Sequence, residues 1–165
     1  MLREVSNNDI NELYNLFTDT QATKYMGIDS HQQITDTQNW FNMYKDKRLR
    51  NESIEWCIQL NECDMFIGRC GYKKIVIEHN RAEISFSIMS KFWGDGLGHE
   101  MLESLIEIGF KTLHLHRIEA QVWPHNNRVR RLLEKNKFKY EGTLKDNHLF
   151  KGKYGDSVVY GLINQ

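Results

Sequence analysis

Apolar residues fall at two different periods along the chain. Ile10, Leu13, Leu16 and Phe17 recur at three- and four-residue spacings, which predicts an amphipathic helix over residues 9–20. Ile34, Trp40, Phe41 and Tyr44 predict a second helix over 33–49, with Thr23 to Ser30 as the loop between them. The period then shortens to two. Ile54, Trp56, Ile58 and Leu60 alternate as in a half-buried strand, and Asn61-Glu62-Cys63-Asp64 turns the chain into a second strand, Phe66 to Ile77. A third strand covers Ala82 to Ile88. Leu97 to Leu113 returns to a helical spacing, and Ile118, Ala120 and Val122 mark another strand. Val129, Leu132 and Leu133 give a short helix its apolar stripe. Final strands are predicted near 138–144 and 157–163. Hairpin strands followed by strand–helix–strand–helix–strands predict an α/β (α+β) fold, with a mixed, largely antiparallel twisted sheet flanked by helices.

No linker, repeat or low-complexity tract divides the chain, so residues 1–165 read as a single domain, long enough for a proper core. The 22 basic and 22 acidic residues cancel, which gives no overall pull toward nucleic acid or a membrane surface. The opening Met1-Leu2-Arg3-Glu4-Val5-Ser6 lacks an apolar signal core, and no run is long enough to span a bilayer. A cytoplasmic protein is expected. Cys57, Cys63 and Cys70 form an odd set without Cys-x-x-Cys spacing, which predicts free thiols that pack as small apolar groups.

The most informative stretch is Trp93-Gly94-Asp95-Gly96-Leu97-Gly98-His99-Glu100, between the third strand and the long helix. A strand that turns through alternate glycines into a helix leaves the first amide N–H groups bare. Those amides and the helix dipole favour an anion, and glycine lets a phosphate approach the backbone. The stretch is neither of the common nucleotide fingerprints. A dinucleotide pattern would need glycine or alanine at His99 or Met101, and no Gly-Lys-Ser/Thr follows.

The next segment, Val122-Trp123-Pro124-His125-Asn126-Asn127-Arg128 through Glu134-Lys135-Asn136-Lys137-Phe138, supplies context. Together the two segments resemble the GNAT superfamily of acetyl-CoA-dependent N-acetyltransferases. They are most similar to the branch holding the ribosomal-protein N-terminal acetyltransferases and spermidine acetyltransferases. Trp93 to Glu100 matches that branch's Trp-Gly-x-Gly-x-Ala/Gly-x-Glu pyrophosphate turn. Val122, Pro124, Asn126, Glu134, Lys135 and Phe138 match its following motif. The resemblance runs from about residue 81 to the end and is loose before it. It implies acetyl-CoA as co-substrate, with the backbone of Ser87, Ile88 and Met89 gripping the pantetheine arm. It further implies that Gly94, Asp95, Gly96, Leu97, Gly98 and His99 hold the pyrophosphate, and that Asn126 binds the arm through its side-chain amide. Asn126 also suits a helix N-cap. Two positions depart from the family. A serine or a tyrosine that would protonate the departing thiolate is replaced by Val129 and by Leu133, and neither can donate a proton.

Acetyl transfer needs an amine that has lost its proton, since an ammonium of pKa about 8–10 cannot attack. Strand alternation sets Glu83, Ser85 and Ser87 opposite Ile84, Phe86 and Ile88. Glu83 is therefore the first candidate base, directly or through water, although a salt-bridged strand carboxylate would look the same. Tyr154 and Asp156, in the stretch similar to the family's C-terminal motif, are the next catalytic candidates. Arg128, Arg130, Arg131, Lys135, Lys137 and Lys139 form a basic cluster that suits a solvated helix face and can also meet the cofactor's outer phosphate. The seven histidines are scattered, and no metal site is expected. The expected activity is direct acetyl transfer to a primary amine: a protein N-terminus, a polyamine or a small molecule. The rival reading is a non-catalytic acyl-CoA-binding module that has lost its proton donor. Nucleic acid and membrane are not expected partners, and a homodimer is compatible with either reading.

Overall fold

The computed structural model describes residues 1–150 and 152–164. Seven strands form one sheet in the order β1-β2-β3-β4-β5-β7-β6. They are β1 (Leu2–Glu4), β2 (Ile54–Gln59), β3 (Phe66–Val76), β4 (Arg81–Ile88), β5 (Arg117–Val122), β6 (Lys139–Phe150) and β7 (Lys153–Ile163). Every neighbouring pair is antiparallel except β4–β5. The helices are α1 (Ile10–Thr18), α2 (Thr20–Thr23), α3 (Ile34–Leu49), α4 (Leu97–Glu107) and α5 (Asn127–Lys135). This is the mixed, mostly antiparallel sheet with flanking helices that the alternation predicts.

Two apolar cores lie on the two faces. One gathers Leu13, Leu16, Phe17, Phe41 and Tyr44 of α1 and α3 over Cys57 and Phe66. The other joins Met101, Leu102, Leu105 and Leu133 of α4 and α5 to Ile67, Tyr72, Ile84, Ile118 and Tyr160. The parallel pair matters most for function. β4 and β5 are in register only at Arg81↔Arg117, Ala82↔Ile118 and Glu83↔Glu119. Beyond that point β4 runs on to Ile88 and β5 to Val122 without pairing, so the strands part into a wedge with Glu83 and Glu119 at its apex.

Several elements differ from the sequence pattern. β1 is too short to show an alternation. The first helix breaks at Asp19, whose extended backbone and side chain cap α2 through the amides of Gln21 and Ala22. The β6–β7 hairpin extends well beyond the expected limits of 144 and 157. A bulge lets its polar segment pair despite having no apolar period, with Asp146 at φ +47.

The long helix is not uniform. Its last turn, Ile108–Thr112, is a π turn, with the Leu113 N–H bonded to the Ile108 carbonyl at 2.9 Å. Tyr72 of β3 reaches into that turn. Its buried hydroxyl donates to the Leu105 carbonyl at 2.6 Å and lies against Gly109. Position 109 must be glycine, because a Cβ there would lie 2.2 Å from the tyrosine oxygen. Tyr72→Phe is expected to lower stability by about 1 kcal/mol by removing a buried hydrogen bond to the Leu105 carbonyl, which still accepts from the Ile108 N–H. Urea unfolding measures it; an unchanged midpoint would mean that the helix re-forms an ordinary turn.

Candidate active site

β4 ends by threading into the glycine turn. The Met89 N–H donates to the Ile67 carbonyl at 2.9 Å, so that amide faces β3. The Ile88 carbonyl faces the other way and accepts from Trp93 Nε1 at 2.8 Å. Antiparallel alternation then directs the Ile88 and Phe86 amides into the wedge, and those of Ser87 and Met89 toward β3. Gly94 at φ +108 and Gly96 at φ +82 occupy backbone regions that side chains avoid, and Gly96 is the N-cap of α4. A Cβ at either would meet nothing within 4 Å, so the turn is open on its outer side. His99 and Glu100 donate their amides to the Gly96 carbonyl at 2.8 and 3.3 Å. Among the described residues no acceptor meets the amides of Leu97 or Gly98, which are the bare donors that suit an anion. Gly98 also lies close to α5, where a Cβ would touch Leu132 at 3.4 Å. Arg128 stacks over the Trp93 ring at 4.4 Å, so the basic start of α5 stands beside Gly94 and Asp95. Asn126 does cap α5: its Oδ1 accepts from the Val129 N–H at 3.3 Å. That leaves its Nδ2 group to donate elsewhere.

The wedge also borders the α1–α3 face of the sheet. Glu83 lies there, 3% exposed, with Lys73 Nζ 2.9 Å from one oxygen and Lys74 Nζ 2.8 Å from the other. Adjacent strand residues normally point to opposite faces. Here the β3–β4 register shifts between Lys73 and Val76, and Lys74 takes φ +50, which brings both ammonium groups to one carboxylate. Ser85 accepts a hydrogen bond from Arg69, and Arg69 pairs with the buried Glu55 at 2.8 Å under the rings of Phe17 and Trp40. Burial raises the Glu55 pKa, against the pull of Arg69.

Beyond the apex, Trp123 closes the face. Its ring contacts His148 at 5.4 Å and Phe150 at 6.0 Å, and sits against Gly27 and Gly155. The His148 pKa is lowered, first by burial and then by Lys73 and Lys74. Tyr154 and Asp156 are not brought to this site. Gly155 between them meets Trp123, so by alternation they point to the other side of β7. Tyr154 is exposed. Asp156 holds the hairpin bulge, accepting from Lys145 at 2.7 Å and from the Asp146 N–H at 3.1 Å, which lowers its pKa. Sequence reasoning did not single out Lys73, Lys74 or His148. Only the bulge and the hairpin extension bring them to Glu83, and neither has a local signal. Leu133 is fully buried in the core with Val129 packed against it. Burial pushes the Cys57 thiol up to about 12 and moves Cys70 upward as well, which disfavours either as an acyl-accepting thiolate.

Residues 1–139 match the family model of the acetyltransferase (GNAT) domain. The chain belongs to the GNAT acetyltransferases. Over 164 residues this acetyltransferase is 33% identical to the N-acetyltransferase p20 of Bacillus licheniformis, covering 99% of the chain and 92% of that relative. Over 79 residues it is 39% identical to the ribosomal protein uS5-alanine N-acetyltransferase of Escherichia coli, covering 48% and 41% of the two chains. Its fold is similar to that of the Vibrio cholerae spermidine N-acetyltransferase solved with CoA and spermine, with a TM-score of 0.87 at 20% identity over 99% and 94% of the chains. The expectations of a GNAT fold, an enzyme and an acetyl-CoA co-substrate hold. The wedge and the open glycine turn fit such a co-substrate. No helix among the described residues is long and apolar enough to cross a membrane.

Proposed function

We propose that this GNAT acetyltransferase, acting as one cytoplasmic domain over residues 1–165, transfers the acetyl group directly to the primary amine of a protein N-terminus, a polyamine or a small molecule. The observation that carries the reading is the parting of β4 from β5 at Glu83↔Glu119, beside a glycine turn with outward amides. The Gly94–His99 turn holds the pyrophosphate, with Arg128 beside it. Backbone groups of the Ser87–Met89 stretch, Ile88 foremost, together with Asn126, hold the pantetheine arm. Acetyl-CoA supplies an activated acyl thioester. Glu83 takes the amine's proton through water, since both of its oxygens already hold lysine ammonium groups. Buried Cys57 and Cys70 support transfer without an acetyl-enzyme. Thiol release from acetyl-CoA, followed across a panel of amines, tests the reading. A protein that binds acetyl-CoA but releases no thiol with any amine would favour the binding-module alternative.

The missing thiolate donor has its own test. A thiol with a reference pKa of about 8.5 leaves readily, so a donor is not essential. Val129→Ser restores a hydroxyl at the first turn of α5, where Val129 is only partly buried. It is expected to leave acetyl-CoA affinity unchanged and to raise kcat modestly, about two- to fivefold, well below the 10²–10⁴ typical of a positioned acid because the thiolate already leaves readily. Steady-state thiol release measures it. A fall in kcat would argue that the position shapes the arm's pocket and plays no part in proton transfer.

A further inference from the structure

On the transferase reading above, we propose that Lys73 and Lys74 form a charge filter, so that the preferred acceptor is an amine flanked by an anionic group and polyamines are rejected.

A polyamine acetylated at one end still carries at least one further ammonium, and a site selective for it needs a carboxylate to receive that charge. On this face of the sheet the described carboxylates are already engaged. Glu83 holds Lys73 and Lys74, Glu55 holds Arg69, and Glu119 holds Arg81 and Arg117. Arg117 is shared with Glu141, so these ion pairs together carry one more cation than anion. His148 adds no compensating negative charge, and its lowered pKa leaves it neutral at pH 7. The loop of residues 23–30 carries one cation, Lys24, and one anion, Asp29.

The two lysines are built into the site by the backbone. A single lysine would neutralise Glu83, but the bulge at Lys74 brings a second, at φ +50. Their side chains are 43% and 66% exposed, so each ammonium has donors left for a ligand after its bond to Glu83. An acceptor carboxylate near the amine finds two such donors, whereas a second ammonium meets like charge.

The test compares kcat/KM for three acceptors: the dipeptide Ala-Asp amide, the dipeptide Ala-Lys amide and spermidine. The wild type is expected to favour Ala-Asp amide over both others by about tenfold or more. Lys74→Gly keeps the left-handed backbone and leaves Lys73 on Glu83, so the fold is spared. It should cut that ratio roughly threefold, mainly through KM, with Lys73→Gln/Lys74→Gly reducing it further. Added salt should shrink the wild-type ratio in the same direction. A wild type that prefers spermidine or Ala-Lys amide, or a ratio that Lys74→Gly leaves unmoved, overturns the filter while amine transfer stands. No thiol release with any of the three overturns the filter, and the same silence across the wider amine panel overturns the transferase reading as well.

Discussion

Gly96→Glu is expected to abolish the rise in melting temperature that acetyl-CoA produces. A ligand at about 100 times its dissociation constant adds roughly 2.7 kcal/mol to the folded state. For a chain of 165 residues that corresponds to about 5–10 °C. Glutamate at position 96 adds a negative charge at the bare amides of Leu97 and Gly98, where a pyrophosphate would sit. It also meets a backbone at φ +82, costing about 1–2 kcal/mol by itself, although a Cβ there clashes with nothing. The decisive readout is therefore the ligand-induced shift, not the starting melting temperature. Gly96→Asn separates the two effects, since asparagine tolerates the left-handed region and brings no charge. It should keep most of the shift. A Gly96→Glu protein that acetyl-CoA stabilises as strongly as wild type would move the phosphate site away from this turn.

Glu83→Gln is expected to lower turnover about 10²-fold near neutral pH, the middle of the range for a positioned base. The loss should shrink as pH rises, because free amine then becomes abundant without help. Glutamine keeps the shape of a residue that is 3% exposed, and the lysines released from it are 43% and 66% exposed and can hydrate. The melting temperature should thus change little. A loss flat with pH, or a clear drop in stability, would make the carboxylate an ion-pair anchor for β3 and β4. Full activity would move the search to His148, whose ring nitrogens make no hydrogen bond among the described residues.

The sequence made some parts of this molecule far more legible than others. The glycine turn could be read because its chemistry is local. Three glycines at a helix start impose the same backbone whatever the rest of the fold does, and Gly94 and Gly96 both show the positive φ that requires them. β3, β4 and α4 were readable because each buries one face over many residues. The acceptor face was not. Glu83 was read correctly as lying opposite Ile84 and Phe86, yet alternation said nothing of what would cover it. Its partners come from a one-residue irregularity in a neighbouring strand, and periodicity assigns Lys73 and Lys74 to opposite faces. The hairpin tip has the same difficulty. Lys145 to His148 carries no apolar rhythm, and its pairing rests on Asp156 clamping the bulge. Asp156 and Tyr154 were attractive as chemical groups, but they lie in the part of β7 that precedes its apolar alternation, on the side away from Gly155 and Trp123.

The tyrosine lodged in the last turn of α4 has a consequence at the other end of that helix. Tyr72 is hydrogen-bonded to Leu105, and Gly109 is the residue whose missing side chain makes room for it. A helix lying on a sheet could otherwise slide by one residue and find nearly equivalent apolar contacts. That step would carry its first amides about 1.5 Å along the axis and swing them by roughly 100°. The bare donors of Leu97 and Gly98, on the proposed function, would then miss the phosphate, although nothing near them had changed. The hydroxyl of Tyr72 serves as a dowel: it fixes the height of α4 against β3, and through the rigid rod it sets the elevation at which an anion is met, two to three turns away.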